Sequence, residues 1–315
     1  MKIAVLDDYQ AVAERCGNWT ALGADASVEF FTQPIPAAQL PERLKPYDVI
    51  VAMRERTPFP GTLLRQLPNL RLLVTTGSRN RAIDIPACRE LGIPVCGTDS
   101  DPFLAAELAW ALVMALYKRV AGNDADIRAG RWQPVIGQSL KGTTLGLLGM
   151  GKLGQRMSEF GKVFGMNVIA WSPNLTPERC APFGVECVGK QQLFERADVV
   201  SIHMVLSAST RHLVGEAELA WMKETAYLVN TSRGPLVDEQ ALCRALHGGR
   251  IAAAALDVFE QEPLPADAEI LQAPNVLLSP HVGYVSWQNY QTYYHDAVED
   301  IQQWLAGSPV RLLEA

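Results

Sequence analysis

The feature that most constrains the fold is the stretch from residue 143 to residue 172, which reads TTLGLLGMGKLGQRMSEFGKVFGMNVIAWS. An apolar run at Thr144–Leu148 leads directly into a turn that contains Gly149, Gly151 and Gly154. A helical pattern follows, and then a second apolar run at Val168–Trp171. Strand, glycine turn, helix and strand within about 30 residues form the context in which such a turn binds a dinucleotide.

Each position of the turn has its own steric requirement. Gly149 permits the tight bend, Gly151 lets the backbone approach a pyrophosphate, and Gly154 lets the helix pack closely. At the start of the helix, the backbone N–H groups of Lys152 and Leu153 are available to an anion. We therefore predict dinucleotide binding at these five residues, with a purely structural turn as the alternative.

The acid that usually follows the second strand is missing. Dinucleotide-binding units that use NAD place an Asp or Glu there to bind the ribose hydroxyls, whereas this chain has Ser172, Pro173 and Asn174. Ser172 can donate a hydrogen bond to a ribose without repelling a 2′-phosphate, and Arg179 lies within reach. We predict NAD or NADP as the cofactor, bound by Ser172 and Pro173 among others, with weak discrimination and NADP(H) tolerated.

Composition excludes several classes of protein. The 315 residues suffice for two domains, and 48% hydrophobic and 20% charged residues are typical of a soluble globular chain. No apolar run is long enough for a membrane span, and the acidic start MKIAVLDDY is unlike a signal peptide, so a cytoplasmic location is expected. A net charge of −6 without a basic block gives no support to nucleic-acid binding. The cysteines have no metal-ligand spacing, so reduced thiols and no metal are expected.

The first part of the chain alternates between short apolar runs and helical segments. Strands are expected at Lys2–Leu6, Val28–Phe31, Asp48–Met53, Leu70–Thr75 and Ile93–Cys96. Helices are expected at Ala11–Leu22, Ala37–Leu44, Gly61–Leu67 and Asp84–Leu91. Because the strands are apolar on both faces, we predict a parallel sheet covered by helices, in an α/β domain that ends near Gly97.

A second α/β block follows two helices. Ala105–Arg119 is apolar almost all round, as in a buried helix, and a further helix is expected at Val120–Ala129, ending at Gly130. Further strands are expected at Val185–Val188, Asp198–His203, Ala226–Asn230, Ala252–Val258 and Val276–Leu278. The last helix, Ser286–Leu305, can either cover this block or cross back to the first one.

Three later motifs add to the glycine turn. They read VNTSRGPLVD at 229–238, ALDVFEQEPL at 255–264 and LSPHVGY at 278–284. In this order, the four motifs resemble the D-isomer-specific 2-hydroxyacid dehydrogenase family, and the resemblance spans nearly the whole chain. It implies two doubly wound α/β domains with parallel sheets. A flavodoxin-like catalytic domain would comprise residues 1–99 and 285–315, so that the last helix crosses back, and a Rossmann nucleotide-binding domain would comprise residues 100–284.

The resemblance also implies catalytic roles. Arg233 would bind the substrate carboxylate and polarise the carbonyl, and His281, oriented by Glu262, would deliver or remove the hydroxyl proton. These residue types suit the chemistry, since arginine binds a carboxylate with a planar fork and a carboxylate stabilises a protonated histidine. A surface arginine, a loop acid and a structural histidine are the alternatives, and only the following Pro263 favours Glu262 over Glu260. Further predicted cofactor contacts are His203, Thr231, Ser232, Asp257 and Gly283, of which His203 is the one most open to a structural interpretation.

The substrate carboxylate also needs a partner in the first domain. The turn after the strand Leu70–Thr75 contains Gly77 and Ser78, whose backbone N–H groups can converge on an anion, and the family places carboxylate-binding amides there. The chain departs from the usual family sequence in this turn. Arg54 and Arg79 can add positive charge to the pocket or face solvent, and we count Arg54 among the predicted substrate-binding residues.

Together these features predict an oxidoreductase that transfers a hydride between NAD(P)H and a small 2-oxo acid or D-2-hydroxy acid, in a cleft that closes over both ligands. The alternative is an NAD(H)-sensing regulator of the same fold. By resemblance a homodimer is expected around the helices from Ala105 to Arg131 and the following loop, in which Trp132 and Val135 can serve either the partner or the chain's own core.

Overall fold

The computed structural model describes residues 1–314, and these divide into two compact units. The first unit comprises Met1–Asp101 and Val285–Ala315, and the second comprises Pro102–Tyr284. Both are built on wholly parallel sheets, of five and seven strands. The predicted fold class, two α/β domains with doubly wound parallel sheets, is confirmed.

The sheet of the first unit has the strand order β2-β1-β3-β4-β5. Its strands are β1 (Lys2–Val5), β2 (Ser27–Phe30), β3 (Val49–Ala52), β4 (Leu72–Thr75) and β5 (Val95–Gly97). Its helices are α1 (Ala13–Cys16), α2 (Leu40–Leu44), α3 (Gly61–Leu64), α4 (Ile85–Glu90) and, from the end of the chain, α12 (Trp287–Leu305). The strand β3 is buried at every position, as expected for a parallel strand covered on both faces.

The second unit has the strand order β12-β11-β10-β9-β6-β7-β8. Its strands are β6 (Thr144–Leu148), β7 (Asn167–Trp171), β8 (Glu186–Cys187), β9 (Val199–Ile202), β10 (Tyr227–Asn230), β11 (Ala253–Leu256) and β12 (Val276–Leu278). Its helices are α5 (Phe103–Lys118), α6 (Val120–Arg128), α7 (Lys152–Val163), α8 (Pro177–Cys180), α9 (Lys190–Arg196), α10 (Glu216–Trp221) and α11 (Glu239–His247). Strand order reverses at β6, and ligands of open α/β sheets bind beyond the carboxyl ends of the strands at such a point.

Two hydrophobic clusters cover the two faces of the seven-stranded sheet. Leu145 and Leu147 of β6 pack into one cluster with α5 and α7, whereas Leu148 packs into the other with α9 and α11. This alternation follows from the two-residue period of a strand. It anchors β6 on both faces, so that the turn after β6 has a rigid base.

One expected helix, Ala11–Leu22, is wrong. The segment instead forms the four-residue helix α1 and a separate 3-10 turn at Trp19–Leu22, because Gly17 is extended with φ −109° and ψ 145°. Both carboxylate oxygens of Asp8 accept backbone hydrogen bonds, from Val12 and Ala13, at 3.0 Å each. The indole N–H of Trp19 donates to the Ala13 carbonyl at 2.8 Å, and this side-chain hydrogen bond forms where a longer helix would have continued.

The chain end forms a strap, residues 308–313, along the edge strand β5. Backbone hydrogen bonds join Gly97 to Arg311 and Leu313 to Val95. The Arg311 guanidinium lies between carboxylates of α12, with its Nε 3.0 Å from Oδ1 of Asp300 and its Nη2 2.7 Å from Glu299. Asp300 is fully buried, and no partner for its second oxygen exists among residues 1–314. The strap is thus held by a buried carboxylate that is only half satisfied.

The helix α6 and the loop after it expose several large apolar side chains. Trp132 is 76% exposed and Ile136 is 92% exposed, and Val120, Ile127 and Val135 are also exposed. Trp132 and Val135 are expected to pack either against a partner or in the chain's own core. Their exposure excludes the core. None of the helices described between residues 1 and 314 is long and apolar enough to cross a membrane.

Candidate functional site

The glycine turn lies at the carboxyl end of β6, where the strand order reverses. Gly149 has φ +101°, and a Cβ on it would lie 2.4 Å from the His203 carbonyl oxygen. A Cβ on Gly154 would lie 2.1 Å from the carbonyl oxygen of Gly149 itself. Both positions therefore require glycine, the first because of its backbone conformation and the second because of the close approach of helix and turn.

The helix α7 begins at this turn and faces open space. Gly151 caps the helix in an extended conformation without a side-chain hydrogen bond, and a Cβ on it would meet no atom within 4 Å. The first N–H groups of a helix, here those of Lys152 and Leu153, have no partner within the helix. Open space in front of free N–H groups at a positive helix end fits the pyrophosphate of a dinucleotide, so these residues fit the predicted cofactor.

Two further predicted cofactor residues lie beside the turn. Ser172 and Pro173 directly follow β7, whose last residue Trp171 accepts a hydrogen bond from the Gly149 amide at 2.9 Å. His203 directly follows β9, with Nε2 2.9 Å from the Ser201 hydroxyl. Burial lowers the pKa of His203 to about 4, so its ring is neutral at physiological pH and contributes no positive charge to a phosphate.

The loop after β10 carries Arg233 and is held by its own side chains. Ser232 donates its hydroxyl to the Ile202 carbonyl at 2.7 Å, and Asn230 donates to the Arg233 carbonyl at 3.0 Å. A Cβ on Gly234 would lie 1.9 Å from the carbonyl carbon of Phe259. Gly234 therefore lets this loop lie directly against the loop after β11. Thr231 is half-buried in the same loop.

Glu262 and His281 form a close pair. Nδ1 of His281 lies 2.5 Å from one Glu262 carboxylate oxygen, and the other oxygen accepts the Phe259 amide at 2.9 Å. Burial raises the pKa of Glu262, but the hydrogen bond from His281 and the charges of His281 and Arg233 outweigh it and hold the pKa below its ordinary value. Glu262 is consequently ionised, and Arg233 is close enough to act on its charge.

The neighbouring acid Glu260 is paired elsewhere. Its carboxylate lies 2.8 Å from Nε2 of His212 and 3.7 Å from the Arg211 guanidinium. The choice between Glu260 and Glu262, which in the sequence depends on Pro263 alone, is therefore decided by geometry: Glu262 is the partner of His281.

Asp257 holds the loop that carries His281. It is 1% exposed and accepts hydrogen bonds from the Ser279 hydroxyl at 2.6 Å and from the amides of Val282 and Gly283 at 2.9 Å each. Burial raises the pKa of Asp257, and these bonds and the charge of His281 offset only part of the effect. All three bonds flank His281, whose backbone has φ +53°. Asp257 thus fixes the position of the histidine, whatever else it contacts.

The predicted substrate-binding residues Arg54, Gly77 and Ser78 belong to the first unit, at the carboxyl ends of β3 and β4. Gly77 has φ +83°, and a Cβ on it would lie 1.8 Å from the Arg54 Nη1. Arg54 therefore lies directly over Gly77. The Gly77 amide donates to Thr98 Oγ1 at 2.7 Å, so of the two predicted amides it is that of the exposed Ser78 that remains for an anion.

Sequence reasoning missed Thr98 and Tyr293, which lie around this turn. Thr98 directly follows β5, which lies next to β4 in the sheet. Its position at the carboxyl end of a strand, where ligands of open α/β sheets bind, could have indicated it from the sequence. Tyr293 of α12 is fully buried, and interaction with Arg54 opposes the rise that burial causes in its pKa. No local pattern indicates this contact, because Arg54 and Tyr293 are 239 positions apart in the sequence.

Comparison with known proteins finds relatives of the whole chain among 2-hydroxyacid dehydrogenases and reductases. Residues 110–283 match the family model described as D-isomer specific 2-hydroxyacid dehydrogenase, NAD binding domain. The glyoxylate reductase of Aeropyrum pernix is 43% identical over 70% of this chain and 68% of its own length. The D-3-phosphoglycerate dehydrogenase of Methanocaldococcus jannaschii is 37% identical over 78% of this chain and 47% of its own length. The crystal structure of the phosphoglycerate oxidoreductase from Vibrio cholerae superposes with a TM-score of 0.91 at 37% identity, covering 98% of this chain and 100% of that one.

Proposed function

Because the chain belongs to the D-isomer-specific 2-hydroxyacid dehydrogenase family, we propose that it reduces a small 2-oxo acid to the D-2-hydroxy acid with Arg233, Glu262 and His281 as the catalytic residues. The family makes it an oxidoreductase that uses a nicotinamide cofactor. The roles of the three residues and the nature of the substrate are the proposal.

The observation that carries the proposal is the pair of His281 and Glu262. The carboxylate, 2.5 Å from Nδ1, keeps the proton of the ring on that nitrogen or stabilises a doubly protonated ring. No partner for Nε2 of His281 exists among the residues that the structure describes. This nitrogen is therefore available to a substrate oxygen, which is the geometry that a general acid needs.

The chemistry divides between cofactor and protein. When bound, a reduced nicotinamide would supply the hydride for the carbonyl carbon. Arg233 binds the substrate carboxylate through its planar fork and draws electron density from the carbonyl. As the carbonyl oxygen gains negative charge, His281, whose doubly protonated ring is stabilised by the Glu262 carboxylate, donates the proton from Nε2. The ring is then neutral and takes up a new proton from solvent before the next turnover. In the reverse direction His281 accepts the hydroxyl proton.

The substitution His281→Ala tests the proposal. We expect turnover to fall by about 100-fold or more, the usual scale for loss of an acid–base group, with little change in cofactor affinity. His212→Ala is the matched control, since it removes a histidine that is also paired with a glutamate, at 2.8 Å, on the surface. Turnover is followed by oxidation of NADH and NADPH with a panel of 2-oxo acids.

Two outcomes would contradict the proposal. Full activity of His281→Ala would remove the acid–base role. Cofactor binding without oxidation by any acid of the panel, in the unmodified protein, would favour an NAD(H)-sensing regulator instead.

We also propose that the protein is a homodimer built around α5, α6 and the loop that follows. The proposal is supported by the exposed apolar side chains of this segment, above all Trp132 and Ile136, which are 76% and 92% exposed. Such a set of apolar residues on a surface is typical of an interaction site. Light scattering coupled to size-exclusion chromatography distinguishes a dimer from a monomer.

A further inference from the structure

The segment after β7 contains an arginine with an unusual partner. Nη1 of Arg179 donates to the backbone carbonyl of Asn174 at 3.0 Å, in the loop that begins at Ser172. No carboxylate pairs with Arg179 anywhere in residues 1–314. A guanidinium has five N–H donors, so this contact fixes its position and leaves most of its donors and its whole charge available.

Five other exposed arginines of the second unit differ from Arg179 in this respect, whereas Arg119, at the start of α6, resembles it in having no carboxylate partner among the described residues. The charges of the five are neutralised by neighbouring acids: Arg128 by Asp124, Arg131 by Asp126, Arg156 by Glu159, Arg196 by Glu186 and Arg244 by Glu216. Another cation beside β7, Lys190, lies over the ring of Trp171, the last residue of that strand, and is paired with Glu218 at 2.7 Å. Arg179 is thus an uncompensated positive charge beside this loop.

The residue directly after β7 is not an acid. Ser172 occupies the position at which an Asp or Glu would bind the ribose hydroxyls and repel a 2′-phosphate. The nearest acid in sequence, Glu178, bonds to Thr176 and to its own backbone, and these bonds lower the pKa of its carboxyl. Its carboxylate is therefore held at the start of α8 by local bonds.

The loop is also held in one conformation. The Leu175 amide donates to the Ser172 carbonyl at 3.1 Å, which closes a turn. The Cys187 thiol of β8 donates to the Leu175 carbonyl at 3.8 Å, and the Arg179 amide donates to Thr176. A loop fixed in this way keeps the Arg179 guanidinium beside the Asn174 carbonyl, so that little further ordering is needed when a ligand binds.

We propose that Ser172 and Arg179 form a binding site for the 2′-phosphate of NADP(H), and that NADPH is consequently the preferred cofactor. The inference rests on the proposed function, since it requires the adenosine ribose to lie at the end of β7. Arginine is the side chain best suited to a phosphate, because its fork binds two oxygens at once. The Ser172 hydroxyl donates to a third oxygen or to the ribose.

Binding of adenine nucleotides that lack the nicotinamide tests this site independently of activity. Isothermal titration compares adenosine 2′,5′-bisphosphate with adenosine 5′-monophosphate, which differ in the 2′-phosphate alone. One charge-assisted contact changes affinity by about 10-fold or more, so we expect the bisphosphate to bind at least about 10-fold more tightly. In Arg179→Ala the two ligands should bind within about twofold of each other, and Ser172→Asp should weaken the bisphosphate further.

Arg196→Ala is the matched control, because it removes the same charge from a neighbouring exposed arginine that is already paired with Glu186 at 2.6 Å. It should leave the preference unchanged. Equal binding of the two nucleotides by the unmodified protein, or an unchanged preference in Arg179→Ala, would overturn the inference. Binding of neither nucleotide, together with no binding of NADH or NADPH, would instead contradict the proposed function, so the two failures are distinguishable.

Discussion

Asp300 is expected to make the stability of the protein fall as the pH rises through neutrality. Burial raises its pKa to about 7 from an ordinary value of 3.8, and the opposing effect of Arg311 is incomplete. A carboxyl whose pKa is higher in the folded state holds its proton more tightly there, so its contribution is fully present below pH 3.8 and is lost as the pH rises through about 7.

The size of the effect follows from this difference. At about 1.4 kcal/mol for each pH unit, the total loss is about 4 kcal/mol, of which roughly 2–3 kcal/mol falls between pH 5 and pH 8. Asp300→Asn keeps the shape of the side chain without titrating. The free energy of unfolding of the unmodified protein should therefore drop by roughly 2–3 kcal/mol more than that of the variant over this range.

Urea unfolding at pH 5, 6, 7 and 8, followed by circular dichroism, measures the difference between the two proteins. Glu299→Gln is the control, since it removes another partner of Arg311 at 2.7 Å, but one that is partly exposed to solvent. Its free energy of unfolding should still fall between pH 5 and pH 8, because Asp300 remains buried and able to titrate in this variant. If the difference between Asp300→Asn and the unmodified protein does not change with pH, Asp300 is ionised throughout and the argument from burial is refuted.

Three further substitutions test other parts of the structure. Gly234→Ala places a Cβ 1.9 Å from a carbonyl carbon of the adjacent loop, and should lower the midpoint of thermal unfolding by several degrees or prevent folding. Gly189→Ala is the control: its Cβ would meet no atom closer than 3.6 Å, so the midpoint should not fall. Asp257→Asn loosens the loop that carries His281, so turnover should fall about 10-fold or more while the dissociation constant for NADPH stays nearly constant. A parallel loss of affinity for NADPH would show that Asp257 contacts the cofactor instead. Trp132→Ser should weaken the proposed dimer by about 10-fold or more in sedimentation equilibrium, and an unchanged dimer would place the interface elsewhere.

The elements that the sequence predicts best are those whose geometry is local. The strand Thr144–Leu148 and the strand Val276–Leu278 have the predicted bounds. The steric demands of the glycine turn act between residues a few positions apart, such as Gly149 and Gly154, so a pattern of residue types reveals them. The segment Ala11–Leu22 fails for the opposite reason, because Asp8 and Trp19 make contacts that a helical pattern does not contain.

The sequence by itself therefore determined the fold class, the glycine turn and, through the order of four motifs, the candidate residues Arg233, Glu262 and His281. Only the tertiary structure decided which acid contacts the histidine, since Glu260 and Glu262 differ by two positions in one loop and their partners come from other loops. The tertiary structure likewise decided that the Gly77 amide donates to the Thr98 hydroxyl and that Arg179 has no carboxylate partner among the described residues. The physical reason is common to all of these cases. Burial, hydrogen-bond partners and charge neutralisation depend on contacts between segments that are far apart in the sequence. The periodicity of a single segment does not contain information about such contacts.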